Sequence, residues 1–143
     1  MKPYSRILIG LDGSDQSDRA FKIACSLAQV LSASLYIVWI VNRDRGMDSS
    51  FGVNEDFYRD RLVQVSAKLN PYVREAVNQH INVTGKVLIG NIKTLLAKDV
   101  PDKYKIDLIV LGNTGSNMVG KMLQGSHSGY VIQHSDCDVL IIK

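Results

Sequence analysis

The stretch ILIGLDGS, residues 7–14, decides how the rest of the chain is interpreted. Its first five residues form a continuous apolar run of the length of a buried strand, which ends at Asp12. The next three residues are typical of a tight turn, and Ser14 is a favoured residue for capping a helix. Asp15 and Asp18 follow in the first helical turn, where the helix dipole favours acids. The segment therefore predicts a strand that passes through a short turn into a helix.

The same alternation continues to the end of the chain. Further apolar strands are predicted at residues 35–41, 83–89, 107–111 and 139–142. Between them, apolar residues recur at helical spacing over residues 20–31, 58–76 and 92–100, and a short helix is predicted from about residue 126 to residue 134. Pro71 predicts a kink or a new start within the second helix, and Pro101 predicts a boundary near the end of the third. The polar segment 42–54 is predicted to be the longest loop.

Continuous apolar strands separated by helices are typical of a parallel sheet that is covered on both faces. Right-handed crossovers then predict an α/β fold, a doubly wound five-stranded parallel sheet in which strands one and four are neighbours. In such a sheet a ligand lies at the carboxyl ends of the strands, where the winding direction changes. The residues that follow Leu11 and Leu111 are therefore the first candidates for a binding site.

Length and composition predict one domain, residues 1–143, with an ordinary soluble composition of 45% hydrophobic and 22% charged residues. The net charge of +3 is small and its basic residues are dispersed, which argues against a nucleic-acid-binding protein. Cys25 and Cys137 have no metal-binding spacing and are interpreted as ordinary thiols. With neither a signal peptide nor an apolar run long enough to cross a membrane, the chain is expected to be cytoplasmic.

A glycine-rich segment, GNTGSNMVGKMLQGS at residues 112–126, follows the fourth predicted strand. Glycines let a backbone turn sharply beside a ligand, and the helix that opens near Ser126 favours an anion at its start. The segment therefore predicts a phosphate-binding loop, although a purely structural turn is the alternative. Gly115, Gly120 and Lys121 also imitate a P-loop, but Met122 stands where that motif needs Ser or Thr.

The pattern G-x2-G-x9-G-[S/T], formed by Gly112, Gly115, Gly125 and Ser126, resembles the nucleotide-binding signature of universal stress proteins. The stretch ILIGLDGSDQS, with Asp12 as its acid, is similar to the first strand and turn of that family. The resemblance extends over nearly the whole chain, from residue 7 to residue 142. It implies the strand order 3-2-1-4-5 and ATP as the ligand. Mg²⁺ is expected to accompany the triphosphate, bound mainly through phosphate oxygens and water.

The resemblance also implies which residues bind ATP. The acid after strand one and its neighbours would hold adenine and ribose, the end of strand two would contact adenine, and the glycine-rich loop would surround the phosphates. On this chain those positions are Leu11, Asp12, Ile40, Leu111, Gly112, Gly115, Gly125, Ser126 and His127. The chain departs from the family pattern at Trp39, where histidine is common, at His127, and at Asp136 and Asp138, which replace prolines.

Two of these residues have alternative interpretations. Asp12 either contacts the ribose or adenine or serves only as a turn residue. His127 contacts phosphate, acts as a weak acid or base, or is a spectator. Asn113 and Thr114 likewise donate to a phosphate or hold the turn.

Three functions remain open at this point. The first is an ATP-binding regulatory module of the stress response that forms a homodimer through its C-terminal strand and acts on an unidentified protein partner. The second is an enzyme, at most a slow ATPase or a nucleotide-dependent transferase, for which only His127, Lys121 and Asp12 are candidates. The third is an interaction protein that uses no nucleotide. The four matched motif positions favour the first function.

Overall fold

The computed structural model describes residues 3–43, 55–113 and 127–143. The strands are β1 (Arg6–Leu11), β2 (Ser34–Asn42), β3 (Val83–Gly90), β4 (Leu108–Gly112) and β5 (Asp138–Ile142). The helices are α1 (Asp15–Leu31), α2 (Glu55–Asn78), α3 (Ile92–Thr94), α4 (Val100–Tyr104) and α5 (His127–His134), and a π-helical turn (Leu95–Asp99) joins α3 to α4.

The five strands form one parallel sheet in the order β3-β2-β1-β4-β5, which confirms the predicted fold. β1 pairs with β2 along its whole length, from Arg6 opposite Ser34 to Leu11 opposite Trp39. On its other edge β1 pairs with β4, with Ile9 opposite Val110. The chain passes from β1 through β2 to β3 at one edge of the sheet. It then crosses back to β4, on the other side of β1, and ends at β5, so the winding direction changes between β1 and β4.

The sheet separates two apolar layers. Alternate residues of β1 point to opposite faces, because side chains alternate along a strand. Ile7 and Ile9 pack with α1 and α2, whereas Leu8 packs with the π-helical turn, α4 and α5. All three side chains are fully buried, and burial of each stabilises the fold by roughly 1.5–3 kcal/mol.

The turn between β1 and α1 forms as predicted. Ser14 is the N-cap of α1, and its Oγ accepts a hydrogen bond from the backbone N–H of Ser17 at 3.1 Å. The hydroxyl of Ser17 is buried and donates to the carbonyl oxygen of Ser14 at 3.1 Å. These bonds satisfy groups that a helix start otherwise leaves without partners, and they fix the direction in which α1 leaves the sheet.

Pro71 does not begin a new helix. α2 continues through it from Glu55 to Asn78, so the predicted restart is wrong. Val65 and Leu69 before the proline and Ala76 after it are all buried in the same apolar layer. Tertiary packing on both sides of Pro71 therefore outweighs the loss of one backbone hydrogen bond.

A boundary is present next to Pro101, but it separates the π-helical turn from α4 and is not the end of the helical segment. Pro101 is buried in α4, which continues to Tyr104 and ends at Lys105 in the left-handed conformation. The turn before it is π-helical, and the backbone N–H of Val100 donates to the carbonyl oxygen of Leu95. This wider turn precedes the proline, which has no N–H to donate, and the helical direction is kept across it.

Strand boundaries also differ in detail from the prediction: Asn42, which was placed in the loop, is the last residue of β2. Asp107 is not part of the fourth strand; its carboxylate accepts hydrogen bonds from the backbone N–H groups of Ser5 and Arg6 at 2.9 and 3.0 Å. The predicted loop at 42–54 lies outside the described residues from position 44 onward. In the described ranges, no helix combines the length and apolar character needed to cross a membrane.

Gly112, the last residue of β4, lies against the first turn of α1. A Cβ atom at this position would come within 2.6 Å of the carbonyl carbon of Gln16 and 2.7 Å of its oxygen. Since these are backbone atoms, the whole start of α1 would have to move. The close approach of α1 to β4 therefore requires glycine at position 112, independently of any ligand.

We expect Gly112→Ala to lower the free energy of unfolding by about 3 kcal/mol, the upper end of the range for overpacking. Gly10→Ala is the matched control, because a Cβ atom there would meet only the side chains of Leu96 and Leu111, at 3.1 and 3.2 Å. Its cost should be about 1 kcal/mol, since side chains can adjust. Urea unfolding followed by circular dichroism measures both values, and equal losses would contradict the proposed role of the α1 backbone.

Candidate functional site

A cleft opens at the carboxyl end of β1, between the ends of β2 and β4, on the face of the sheet that carries α3 and α5. It contains about 450 Å³ of space, part of which is open to solvent. Its lining consists of Gly10, Leu11, Asp12, Val38, Ile40, Ile92, Leu96, Leu111, Gly112, His127 and Ser128. The cleft therefore lies where the winding direction changes, as the strand order requires.

Six of the nine site residues predicted from the sequence line this one cleft: Leu11, Asp12, Ile40, Leu111, Gly112 and His127. They come from three different strands and from α5, so only the fold brings them together. The other three, Gly115, Gly125 and Ser126, lie outside the described residues, as do Thr114 and Lys121. That any of the nine contacts a ligand stays a prediction.

The remaining lining residues were not predicted to belong to the site. Val38 precedes Ile40 by two positions, so it had to share a face of β2 with it, and the sequence contained that signal. Ile92 and Leu96 were interpreted only as the apolar side of a helix. The sequence around Ile92 and Leu96 does not show that the apolar side of this helix extends beyond the ends of the strands. Their place in the cleft could therefore not be predicted.

The interior of the cleft is apolar, and its polar groups lie at the rim. Gly10 forms part of its floor, where a Cβ atom would touch the side chains of both Leu96 and Leu111. Glycine at this position therefore keeps the floor open. An apolar interior with a few polar groups at the rim suits a flat heteroaromatic group that carries polar substituents.

Asp12 lies at the rim and is exposed. Its Oδ1 accepts a hydrogen bond from the backbone N–H of Ser14 at 2.9 Å, while its own N–H approaches Oγ of Ser17 at 3.4 Å. The turn role, one of the two interpretations of the sequence, is therefore present in the structure. Because this bond uses one carboxylate oxygen, Oδ2 can still accept from a ligand hydroxyl.

His127 is the first residue of α5 and lies half-buried at the opposite rim. Burial lowers the pKa of its imidazole, the positive charge of Lys93 lowers this pKa further, and the carboxylate of Asp12 acts in the opposite direction. The imidazole is therefore mostly uncharged near pH 7. A bound anion would raise this pKa again, since it would stabilise the protonated ring.

Lys93, in α3, does not line the cleft but lies close enough to act on His127 at its rim, and the sequence did not predict it. Its charge acts on His127, and its Nζ lies 5.8 Å from the centre of the Tyr130 ring in α5. It forms no ion pair with any residue in the described ranges. The phosphate-facing lysine suggested by the sequence was Lys121. Lys93 is distant from the glycine-rich loop in the chain, and only the packing of α3 beside α5 reveals it.

Asn113 holds the turn after β4 with its backbone. Its N–H donates to the carbonyl oxygen of Ile142 in β5 at 2.8 Å, which extends the pairing of the two strands by one residue. This N–H is therefore already used within the sheet. Backbone donors for a phosphate have to come from later in the loop or from the first turn of α5.

The described residues include no group of three or more His, Cys, Asp or Glu side chains placed to hold a metal ion. Asp12 is the one carboxylate in the cleft lining. Both cysteines lie outside that lining, and burial raises the pKa of the Cys25 thiol to about 11. A metal ion here would thus need most of its ligands from elsewhere, such as phosphate oxygens and water.

Comparisons with known proteins give a consistent result. A model of the universal stress protein family matches residues 3–143. A universal stress protein of Staphylococcus haemolyticus is 30% identical over 145 aligned positions, which cover 100% of this chain and 87% of that protein.

Two solved structures extend the comparison. The crystal structure of a universal stress protein in complex with cAMP is 27% identical, with a TM-score of 0.77 and coverage of 99% of this chain and 98% of that chain. The universal stress protein UspA from Lactobacillus plantarum is also 27% identical, with a TM-score of 0.69 and coverage of 98% of both chains. Since the family model, the relative and both structures match it almost from end to end, the chain belongs to the universal stress protein family.

Proposed function

We propose that this protein binds an adenine nucleotide, ATP with Mg²⁺, in the cleft between β1, β2 and β4, and acts as a nucleotide-dependent regulatory module of the stress response. The observation that carries the proposal is that six residues predicted from the family resemblance lie in one cleft, at the point where the winding direction changes. A related family member was solved in complex with cAMP, which supports an adenine nucleotide as the ligand class.

Each part of the cleft suits one part of the nucleotide. The apolar walls formed by Val38, Ile40 and Leu96 suit the adenine ring. The carboxylate of Asp12 suits a ribose hydroxyl, which donates to a carboxylate oxygen in many nucleotide sites. The phosphates would then lie toward His127 and Lys93, where the start of α5 adds a partial positive charge.

ATP, rather than another adenine nucleotide, is proposed from the motif formed by Gly112, Gly115, Gly125 and Ser126, which would surround the phosphates. With a single carboxylate at the rim, Mg²⁺ would be held mainly by phosphate oxygens and water. The same carboxylate also holds the turn after β1. Binding is therefore proposed rather than efficient hydrolysis, which needs a positioned base and several cations.

We also propose a homodimer that forms through β5. This strand lies at an edge of the sheet, and edge strands can pair with another chain. Leu140 in β5 is 36% exposed, which is high for a leucine in a sheet of this size. A cytoplasmic location and an unidentified protein partner complete the proposal and follow from the family resemblance and the composition.

Calorimetric titration of nucleotide-free protein with ATP and Mg²⁺ tests the nucleotide site. We expect saturable binding in the natural chain and none in Gly115→Val, because the added side chain would occupy the phosphate loop. Ser116→Val is the matched control, since the motif leaves position 116 open, and it should keep the affinity. Natural protein that neither binds ATP nor carries a co-purified nucleotide by mass analysis would refute the proposal.

Lys93→Ala should weaken ATP binding about tenfold, the effect of losing one charge-assisted hydrogen bond. Binding of adenosine should not change, because adenosine has no phosphate. Lys103→Ala removes an exposed lysine of α4 whose charge is not among those that act on His127, and it serves as the control. Equal losses for ATP and adenosine would show that Lys93 supports the cleft rather than the phosphates.

The pH dependence of binding tests the position of His127. Its pKa is lowered in the free protein, and nearby phosphates should raise it, so binding should take up a proton. The resulting gain in ATP affinity is complete at pH values below the pKa of His127 in the free protein. It is lost as the pH rises through the pKa of His127 in the complex.

Titrations between about pH 5 and pH 8 should therefore show a steeper rise in ATP affinity toward low pH for the natural chain than for His127→Gln. The variant controls for titration of the ATP phosphates themselves, because it keeps a polar side chain that does not titrate. Identical slopes for the two proteins would place His127 away from the phosphates.

A further inference from the structure

A second cleft lies on the other side of the β1 carboxyl end, between the start of α1 and the middle of α2. Its lining residues are Asp12, Gly13, Trp39, Arg61, Lys68 and Tyr72. It contains about 850 Å³ of space, much of it open to solvent. Asp12 lines both clefts, so the two meet at this carboxylate.

Two cationic side chains line the second cleft together with one carboxylate, that of Asp12. Arg61 and Lys68 lie on α2, seven positions apart, and therefore project from the same side of the helix. Arg61 donates one hydrogen bond, from Nη1 to the neutral amide oxygen of Gln64 at 3.3 Å. Within the described ranges neither cation has an ion-pair partner. Two free cations beside one carboxylate favour an anionic group in the cleft.

The inner wall of the cleft is formed by two packed aromatic side chains, Trp39 and Tyr72. Trp39 is only 8% exposed, and its ring packs edge-on against that of Tyr72, with 6.3 Å between the ring centres. The hydroxyl of Tyr72 donates to the carboxylate of Asp18. Burial, followed by this hydrogen bond, raises the pKa of Tyr72 to about 12, so the donor stays protonated. Packed aromatic rings therefore form one wall of the cleft, and the cationic side chains of α2 form another part of its lining.

We propose that this second cleft binds a second phosphate group, carried on the ribose of the adenine nucleotide in the first cleft. The inference rests on the proposed function, because it places the ribose beside Asp12. If one ribose hydroxyl donates to Asp12, the hydroxyl edge of the sugar faces the boundary between the clefts. A phosphate on the neighbouring ribose oxygen would then extend toward Arg61 and Lys68.

The chemistry of the two cations fits this ligand. Arginine forms paired hydrogen bonds with phosphate oxygens, and lysine adds a mobile positive charge. In other nucleotide-binding folds these are alternatives: an acid accepts from a ribose hydroxyl that carries no phosphate, or a nearby arginine accommodates a phosphate on that oxygen. Here Asp12 and Arg61 line the same cleft, so the free hydroxyl of the sugar would face Asp12 and the phosphate on the neighbouring oxygen would face Arg61. The ligand class is therefore an adenine nucleotide with phosphates at the 5′ position and at the 2′ or 3′ position.

The test compares AMP with adenosine 2′,5′-bisphosphate and adenosine 3′,5′-bisphosphate by calorimetric titration. At least one bisphosphate should bind the natural chain about tenfold more tightly than AMP does. The double variant Arg61→Ala/Lys68→Ala should lose this preference while its affinity for AMP stays within about twofold of the natural value. Trp39 is the one tryptophan of the chain, and its fluorescence should respond to the preferred bisphosphate more than to AMP.

The matched control is Arg59→Ala/Arg74→Ala, which removes the same charge from exposed positions of α2 outside the cleft and should keep the preference. If AMP binds the natural chain but neither bisphosphate binds more tightly, the inference is overturned and the proposed function stands. If the control loses the preference to the same extent, long-range charge explains it and the cleft does not. If neither AMP nor ATP binds, the proposed function itself fails, and the inference fails with it.

Discussion

The position of β1 between β2 and β4 is the constraint on which the rest of this structure depends. Because the chain winds away from β1 in both directions with right-handed crossovers, α1 and α2 cover one face and α3, α4 and α5 cover the other. The helices on either side of β1 therefore diverge at its carboxyl end. The clefts on both sides of Asp12 follow from this divergence.

The two clefts share the carboxylate of Asp12, and basic side chains lie on either side of it. The carboxylate lies in the middle, His127 and Lys93 lie on one side, and Arg61 and Lys68 lie on the other. A sugar with hydroxyl groups fits beside the carboxylate, and anionic groups fit at either end. The packing of α1 against Gly112 fixes the separation of these parts, because the backbone of Gln16 leaves no room for a side chain there.

The sequence predicts the order of strands and helices better than it predicts where each helix begins and ends or which side chains of the helices reach the clefts. Continuous apolar runs such as residues 35–41 predict buried parallel strands, since few other structures accept them. The restart predicted at Pro71 is wrong, and the boundary predicted at Pro101 lies inside the helical segment rather than at its end, because long-range packing outweighs a local preference. Six site residues could be predicted from the family resemblance and a topological rule, whereas Lys93 and Arg61 could not. Their relation to the clefts depends on helices that meet only in the folded chain, and no spacing in the sequence encodes it.

The central claim is that an adenine nucleotide lies in the cleft on the α3 and α5 side of the β1 carboxyl end. Methyl NMR spectra of the isotope-labelled protein during a titration with ATP and Mg²⁺ test it most directly. The account predicts saturable shifts of the methyl signals of Ile40, Ile92 and Leu96, with little change at Ile23 and Leu27 in α1, which pack on the other face. Saturable shifts at Ile23 and Leu27 without change at Ile40 and Ile92 would contradict it, as would spectra that do not change at all.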